Sequence, residues 1–274
     1  MNNREQEQHA IDRDRILARM ADGFRDDKRV NACWVEGSIG LGIDDCYADI
    51  DLWLDVDDGH EQAVMDDAVA MLSQLGQPDF LRREDHPHPK IFQTNLHIAG
   101  MSPYLLVEIC IQSRSRGSEG CTFVEGDVAE LPKVLFDKCG VVSIIPPPPP
   151  DKERLTRVYR DVTELWSQRA KVVKYLHRGL YLEAYAYYGR YVREQLVTLA
   201  RLVYTPRHWD YGLVHISHHL PATLVRDLEP LYQIANLDDI ELALVQADRL
   251  FERLDREAKG RYAFLTESKG ESAQ

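Results

Sequence analysis

The sequence predicts an α+β chain: a mixed β-sheet domain with flanking helices, followed by an all-helical bundle domain. Three observations carry this. Short apolar, β-prone runs alternate with amphipathic segments over the first half, whereas helical periodicity alone fills the second. Between the halves stand five consecutive prolines, Pro146–Pro150. They can continue neither a helix nor a central strand, and they read as a stiff extended spacer. The boundary drawn there separates residues 1–145 from a helical domain at residues 151–260.

Each element has its own signal. Ile11, Ile16, Leu17, Met20 and Phe24 recur at helical spacing over residues 10–26. A short strand is predicted at Ala32–Val35, then a glycine-rich stretch, then a strand at Ala48–Val56 that Asp57-Asp58-Gly59 terminates. Residues 60–75 carry Val64, Ala68, Met71, Leu72 and Leu75 on one helical face and end at Gly76 and Pro78. Further strands are predicted at Phe80–Arg83, Ile91–Ile98 and Tyr104–Ile111, with a proline-bearing turn at Asp85–Pro89. After the prolines, helices are predicted at residues 151–177, 180–203, 221–233 and 237–257, and the polar tail Thr266–Gln274 is expected to fray.

A chain of 274 residues is long enough for one large domain or two ordinary ones. It has no run of about 18 apolar residues, so no membrane span is predicted. The charged N-terminal stretch contains no apolar signal segment, and a cytoplasmic location is expected. The formal net charge of -12 argues against nucleic acid as a partner and would suit a polycationic small substrate. The five cysteines are scattered without a CxxC pair, which leaves no zinc ribbon or disulfide framework to draw. Cys33 and Cys110 sit in apolar runs and are read as small buried hydrophobes.

The chemistry concentrates in GSIGLGIDDCYADIDLWLDV, Gly37 to Val56. Gly37, Gly40 and Gly42 permit tight backbone paths and the close approach of a ligand, and Ser38 with nearby N–H groups suits phosphate oxygens. The spacing matches neither a P-loop nor a dinucleotide fingerprint. Asp49 and Asp51 alternate with Ile50 and Leu52, so the two carboxylates share one face of a strand. They are hard oxygen donors suited to Mg²⁺, or else outward charges on an edge strand. Glu108 interrupts the apolar run YLLVEICIQS and either completes a three-carboxylate cluster or pairs with Arg82, Arg83, Arg114 or Arg116.

Taken together, Gly-Ser, the glycine-containing helix start, Asp-x-Asp on the next strand and a third acid on a later strand resemble the signature of the DNA polymerase β-like nucleotidyltransferase superfamily, over roughly residues 30–112. The helical second half, with LHRGLYLEAYAYYGRYVREQLVTLARL, resembles antibiotic nucleotidyltransferases such as the aminoglycoside and lincosamide enzymes. The resemblance implies a nucleotidyltransferase catalytic domain at residues 1–145. It implies metal-dependent transfer of a nucleoside monophosphate, AMP from ATP, to a hydroxyl of a small acceptor. Asp49, Asp51 and Glu108 would hold two Mg²⁺ ions, and Glu108 would also take the hydroxyl proton. Gly37 and Ser38 would grip the distal phosphates. A homodimer is suggested by the resemblance alone. The competing class is a nucleotidyltransferase-like regulatory or binding protein, such as a toxin–antitoxin component.

Other residues carry two readings each. Lys171, Lys174 and Arg178 form either a basic stripe for the triphosphate, with Lys174 its leading residue, or a solvated helix face. Arg82 and Arg83 are phosphate neutralisers or surface charge. Tyr181, Tyr185, Tyr187, Tyr188 and Tyr191 wall a substrate cleft or serve packing; Arg190, Arg193 and Glu194 share that helix. His86 and His88 are read as a surface loop, and His215, His218 and His219 as packing or capping groups rather than metal ligands. Trp209 and Asp210 are candidates for an acceptor pocket.

Overall fold

A computed structural model describes residues 3–118 and 120–267. The chain divides into two compact units, Met1–Pro148 and Pro149–Gln274. The first runs α1 (Asn3–Arg25), β1 (Val30–Val35), α2 (Gly37–Leu41), β2 (Ile50–Val56), α3 (Glu61–Ser73), β3 (Pro78–Glu84), β4 (Ile91–Ile98), β5 (Val107–Ser113), β6 (Thr122–Val124), β7 (Lys133–Asp137) and β8 (Ser143–Ile145). The main sheet has the order β3-β4-β5-β2-β1-β7. Only β2 and β5 pair in parallel within it; every other neighbouring pair is antiparallel. β6 and β8 form a separate parallel pair.

The core lies between one face of this sheet and the helices α1 and α3. Ile50, Leu52, Leu54 and Val56 alternate inward along β2 and pack with Ile16, Met20 and Phe24 of α1 and Val64, Ala68 and Leu72 of α3. Period-two alternation therefore sends Asp51, Trp53 and Asp55 to the opposite face. There, a small cluster of Ala32, Trp34, Cys121 and Phe123 covers one end and leaves the polar stretch beside it.

The second unit is a helical bundle: α4 (Lys152–Ser167), α5 (Ala170–Leu176), α6 (Tyr181–Tyr188), α7 (Glu194–Tyr204), α8 (Ile216–His219), α9 (Ala222–Leu228), α10 (Leu237–Arg261) and α11 (Phe264–Glu267). Leu155, Val158, Val162 and Trp166 of α4 meet Leu196 and Leu199 of α7 and Ala243, Ala247 and Leu254 of α10 in its core. The Asp151 side chain caps α4 by accepting from the Arg154 N–H at 3.0 Å, directly after the prolines. A reciprocal capping box between Asn236 and Asp239 starts α10.

The predicted elements differ from these in particular places. The helix expected over 151–177 breaks between α4 and α5, where Arg169 turns back to pair with Asp248 at 2.9 Å. The helix expected over 180–203 contains a π turn at Gly189–Arg193. The glycine-rich stretch is the short helix α2, and β6, β7 and β8 had no predicted counterpart. Of the tail expected to fray, Thr266 and Glu267 end α11 and residues 268–274 lie outside the described residues. Among the described residues no helix is long and apolar enough to cross a membrane.

Candidate active site

Register sets the site. In the parallel β2–β5 ladder Asp51 stands opposite Glu108, Trp53 opposite Cys110 and Asp55 opposite Gln112. Paired residues in a ladder share a face, so Asp51 and Glu108 are direct neighbours on the side away from α1 and α3. Asp49 lies one residue ahead of β2, exposed, on the same alternation. Its carboxylate and that of Glu108 both act on Asp51. Burial first, then repulsion by these two, pushes the Asp51 carboxyl up to about 6.

Among the described residues Glu108 has no arginine partner. Gln93 on the adjacent β4 donates Nε2–H to Oε2 at 2.6 Å, and the Cys110 thiol faces Oε1 at 3.5 Å. The arginines that could have claimed it are engaged elsewhere: Arg82 with Glu84 at 2.9 Å, Arg83 with Asp66 at 2.5 Å, Arg114 with Asp55 at 3.4 Å and Arg116 with the Gln112 amide at 2.8 Å. Cys110 is buried as expected, and burial followed by the Glu108 charge pushes its thiol up. Cys33, also buried, behaves likewise through burial.

A fourth acid, Glu36, escaped the sequence reading. It directly follows β1 as the N-cap residue of α2, its N–H donates to the Asp51 carbonyl at 2.9 Å, and its carboxylate accepts from Trp34 Nε1 at 2.8 Å. Burial is the main reason its carboxyl is raised to about 7, with Glu130 and Asp51 adding repulsion and Arg116 opposing it. Trp34 stacks on Trp53 with ring centroids 5.9 Å apart, which fixes the indole that holds Glu36. Its one sequence signal was its place directly before Gly37.

The glycines do separate jobs. Gly37 has φ +61, and a Cβ there would collide with Asp51 Oδ2, so its bareness seats the carboxylate. Gly40 is packed against the carbonyls of Leu131 and Val35; the close approach it permits is by the chain itself, not by a ligand. Gly42 caps α2 at φ +69 with open space where a Cβ would be. Ser38 follows Gly37 in the first turn of α2, where backbone N–H groups lack intrahelical acceptors.

The remaining candidates belong to the second unit or have partners of their own. Lys174 belongs to the second unit, exposed on α5, with Nζ 5.5 Å from the Tyr175 ring. Arg178 also lies over Tyr175, while Lys171 bonds to Tyr191 OH at 3.2 Å. Tyr175, Tyr187 and Tyr191 stack in series, and buried Tyr188 donates to the Leu231 carbonyl at 3.0 Å. Trp209 and Asp210 line a cleft of about 540 Å³ in the same unit with Arg193, Glu194 and Tyr232. His86 and His88 accept turn N–H bonds from His88 and Lys90. His219 is buried against Arg201, and burial lowers its imidazole to about 4.

Among the described residues no three His, Cys, Asp or Glu side chains form a ready-made metal cage. The donor set at the ladder nonetheless fits a hard divalent ion. Three carboxylates share a face, their mutual repulsion is visible at Asp51, and no Lys or Arg ion pair neutralises Asp49, Asp51 or Glu108 among the described residues.

No family model and no curated protein matches this chain. Among solved structures, an aminoglycoside 6-adenyltransferase from Bacillus subtilis is similar at 14% identity, over 90% of this chain and 89% of that one, with a TM-score of 0.42. A nucleotidyltransferase-like protein from Exiguobacterium sibiricum is similar at 14% identity, over 95% of this chain and 80% of that one, with a TM-score of 0.33.

Proposed function

We propose that the chain is a metal-dependent nucleotidyltransferase that moves AMP from ATP to a hydroxyl of a small molecule, with an aminoglycoside or a lincosamide as the acceptors of first choice. The observation that carries this reading is the in-register Asp51–Glu108 pair, with Asp49 acting on Asp51 and Gly37 bare against it. Asp49, Asp51 and Glu108 would hold two Mg²⁺ ions. The bound ions would neutralise the triphosphate and lower the pKa of the acceptor hydroxyl.

The protein's own groups then have definite tasks. Gly37 and Ser38 offer N–H groups and a hydroxyl to the β- and γ-phosphates. Gln93 donates to Glu108 Oε2, which orients the carboxylate; Oε1, which meets only the weak Cys110 thiol donor, would receive the acceptor proton. The acceptor oxygen bonds to the α-phosphorus while the bond from that phosphorus to the bridging oxygen breaks. Pyrophosphate leaves with the electron pair, and Glu108 carries the proton. Above about pH 7, where its raised carboxyl ionises, Glu36, anchored by Trp34, adds to the negative field toward a cationic acceptor.

The test is incubation with ATP, Mg²⁺ and a panel of hydroxylated acceptors that includes aminoglycosides and lincosamides. An acceptor heavier by one AMP, with one pyrophosphate released per transfer, is the expected product. ATP left intact with every acceptor, under conditions where the protein binds it, supports the regulatory alternative instead.

A further inference from the structure

The carboxylate ladder does not stop at Asp49. Two residues upstream, Tyr47 meets Tyr104, which lies four residues ahead of Glu108; their rings are 5.0 Å apart and nearly perpendicular, at 76°. The parallel register explains the meeting. Ile50 N–H bonds to the Leu106 carbonyl at 2.9 Å, and the turns that carry Tyr47 and Tyr104 each lie three residues ahead of the first paired residues, Ile50 and Val107. Tyr47 and Tyr104 are 50% and 49% exposed, an unusual amount for two rings already in contact.

The backbone that carries each ring is tied down. His9 on α1 is fully buried, and its Nε2 bonds to the carbonyl of Ala48, between Tyr47 and Asp49, at 2.9 Å. The Tyr47 N–H donates to Asp45 Oδ1 at 2.8 Å. On the other strand His97 joins Asp79 at 2.6 Å and the Ser102 carbonyl at 2.9 Å, and Ser102 Oγ accepts from the Tyr104 N–H at 3.4 Å. Tyr104 also walls a cleft of about 400 Å³ together with Gln8, His9 and Met101. Two exposed aromatic side chains in mutual contact, on backbone segments tied down by His9 and His97, constitute a prepared surface.

We propose that Tyr47 and Tyr104 are the shelf on which the base of the bound nucleotide stacks. This rests on the nucleotidyltransferase reading above. Tyr47 sits in a turn two residues ahead of Asp49, and two residues span at most about 7 Å. That leaves room for a ribose between phosphates held at the carboxylates and a base on the rings. A base offers the flat π-face that an edge-to-face tyrosine pair can cover, whereas a saturated hydroxylated acceptor does not. Stacking reads no hydrogen-bonding edge, so adenine and guanine should be held alike.

Calorimetry with Mg²⁺-ATP and with Mg²⁺-tripolyphosphate, which lacks base and ribose, tests this on the full chain. In Tyr47→Ala and Tyr104→Ala, ATP affinity is expected to fall by about 5- to 150-fold, the range of one lost base–aromatic stack, with tripolyphosphate affinity unchanged. Tyr104→Phe keeps the ring and should bind ATP as the wild type does. Melting curves on the same samples check folding; both rings are half exposed, so small shifts are expected. ATP affinity unchanged in both alanine variants, or tripolyphosphate affinity falling in step with ATP, overturns the shelf. Wild-type protein that binds both ligands equally also overturns it while leaving the transfer reading intact. Wild-type protein that binds neither removes the transfer reading and the shelf with it.

Discussion

Gly37 and Asp51 are close neighbours: the Asp51 Oδ2 lies in the space that a Cβ on Gly37 would fill, and a Cβ there would collide with it. Gly37→Ala is therefore expected to abolish turnover by displacing Asp51. Gly42→Ala is the matched control. Gly42 shares the left-handed backbone, φ +69 against +61, but meets nothing within 4 Å. Each variant should lose about 1–2 kcal/mol of stability from backbone strain. Only Gly37→Ala should also lose activity, and equal turnover in the two would detach Gly37 from the site.

Asp49→Asn and Asp51→Asn should each abolish turnover for a different structural reason. Asp49 is exposed, so its loss should change stability by no more than about 0.5 kcal/mol. Asp51 is held half-buried against two like charges, so its replacement should leave the metal-free protein at least as stable at pH 8. Turnover above a tenth of wild type in both variants would refute their assignment.

Glu108→Gln keeps the shape of the side chain while removing its charge. Its effect should fall on kcat, by at least about 10²-fold, because a general base contributes in the transition state. Among the described residues no arginine pairs with Glu108, so the melting temperature should stay close to wild type. A destabilised variant with normal single-turnover rates would show that Glu108 serves the sheet instead.

The raised carboxyls give the metal-free protein an unusual pH profile. Asp51 goes from 3.8 to about 6 and Glu36 from 4.5 to about 7, so the folded state binds more protons than the unfolded chain in those windows. Stability from this locus is thus present at low pH and is lost as pH rises from about 4 to 7. Melting in a chelating buffer should show this fall, and Glu36→Gln with Asp51→Asn should flatten it. A slope unchanged in the double variant would contradict the cause.

The sequence revealed the alternating β2 pattern, the lone acid of β5 and the helical second half because each is a local signal of period or composition. Asp49, Asp51 and Glu108 were legible for that reason. Glu36 and Gln93 were not, since what brings them to the ladder is the order β4-β5-β2-β1, a long-range pairing that no local stretch encodes. β7, with only Val134 and Phe136 in alternation between Pro132 and Gly140, is a strand because β1 offers it an edge. Gly40 looked like ligand-binding glycine in sequence and is explained by the neighbouring carbonyl of Leu131, again a distant residue.

Calorimetric titration of the full chain with ATP, in the presence and absence of Mg²⁺, tests the central claim most directly. Asp49, Asp51 and Glu108 repel one another and would repel a triphosphate, so ATP alone should give negligible heat. With Mg²⁺ present, saturable binding should appear, and near pH 6 it should release protons as Asp51 ionises, seen as a dependence of the heat on the buffer's ionisation enthalpy. Negligible heat under both conditions, or equal binding with and without Mg²⁺, would contradict a metal-dependent nucleotide site at this ladder.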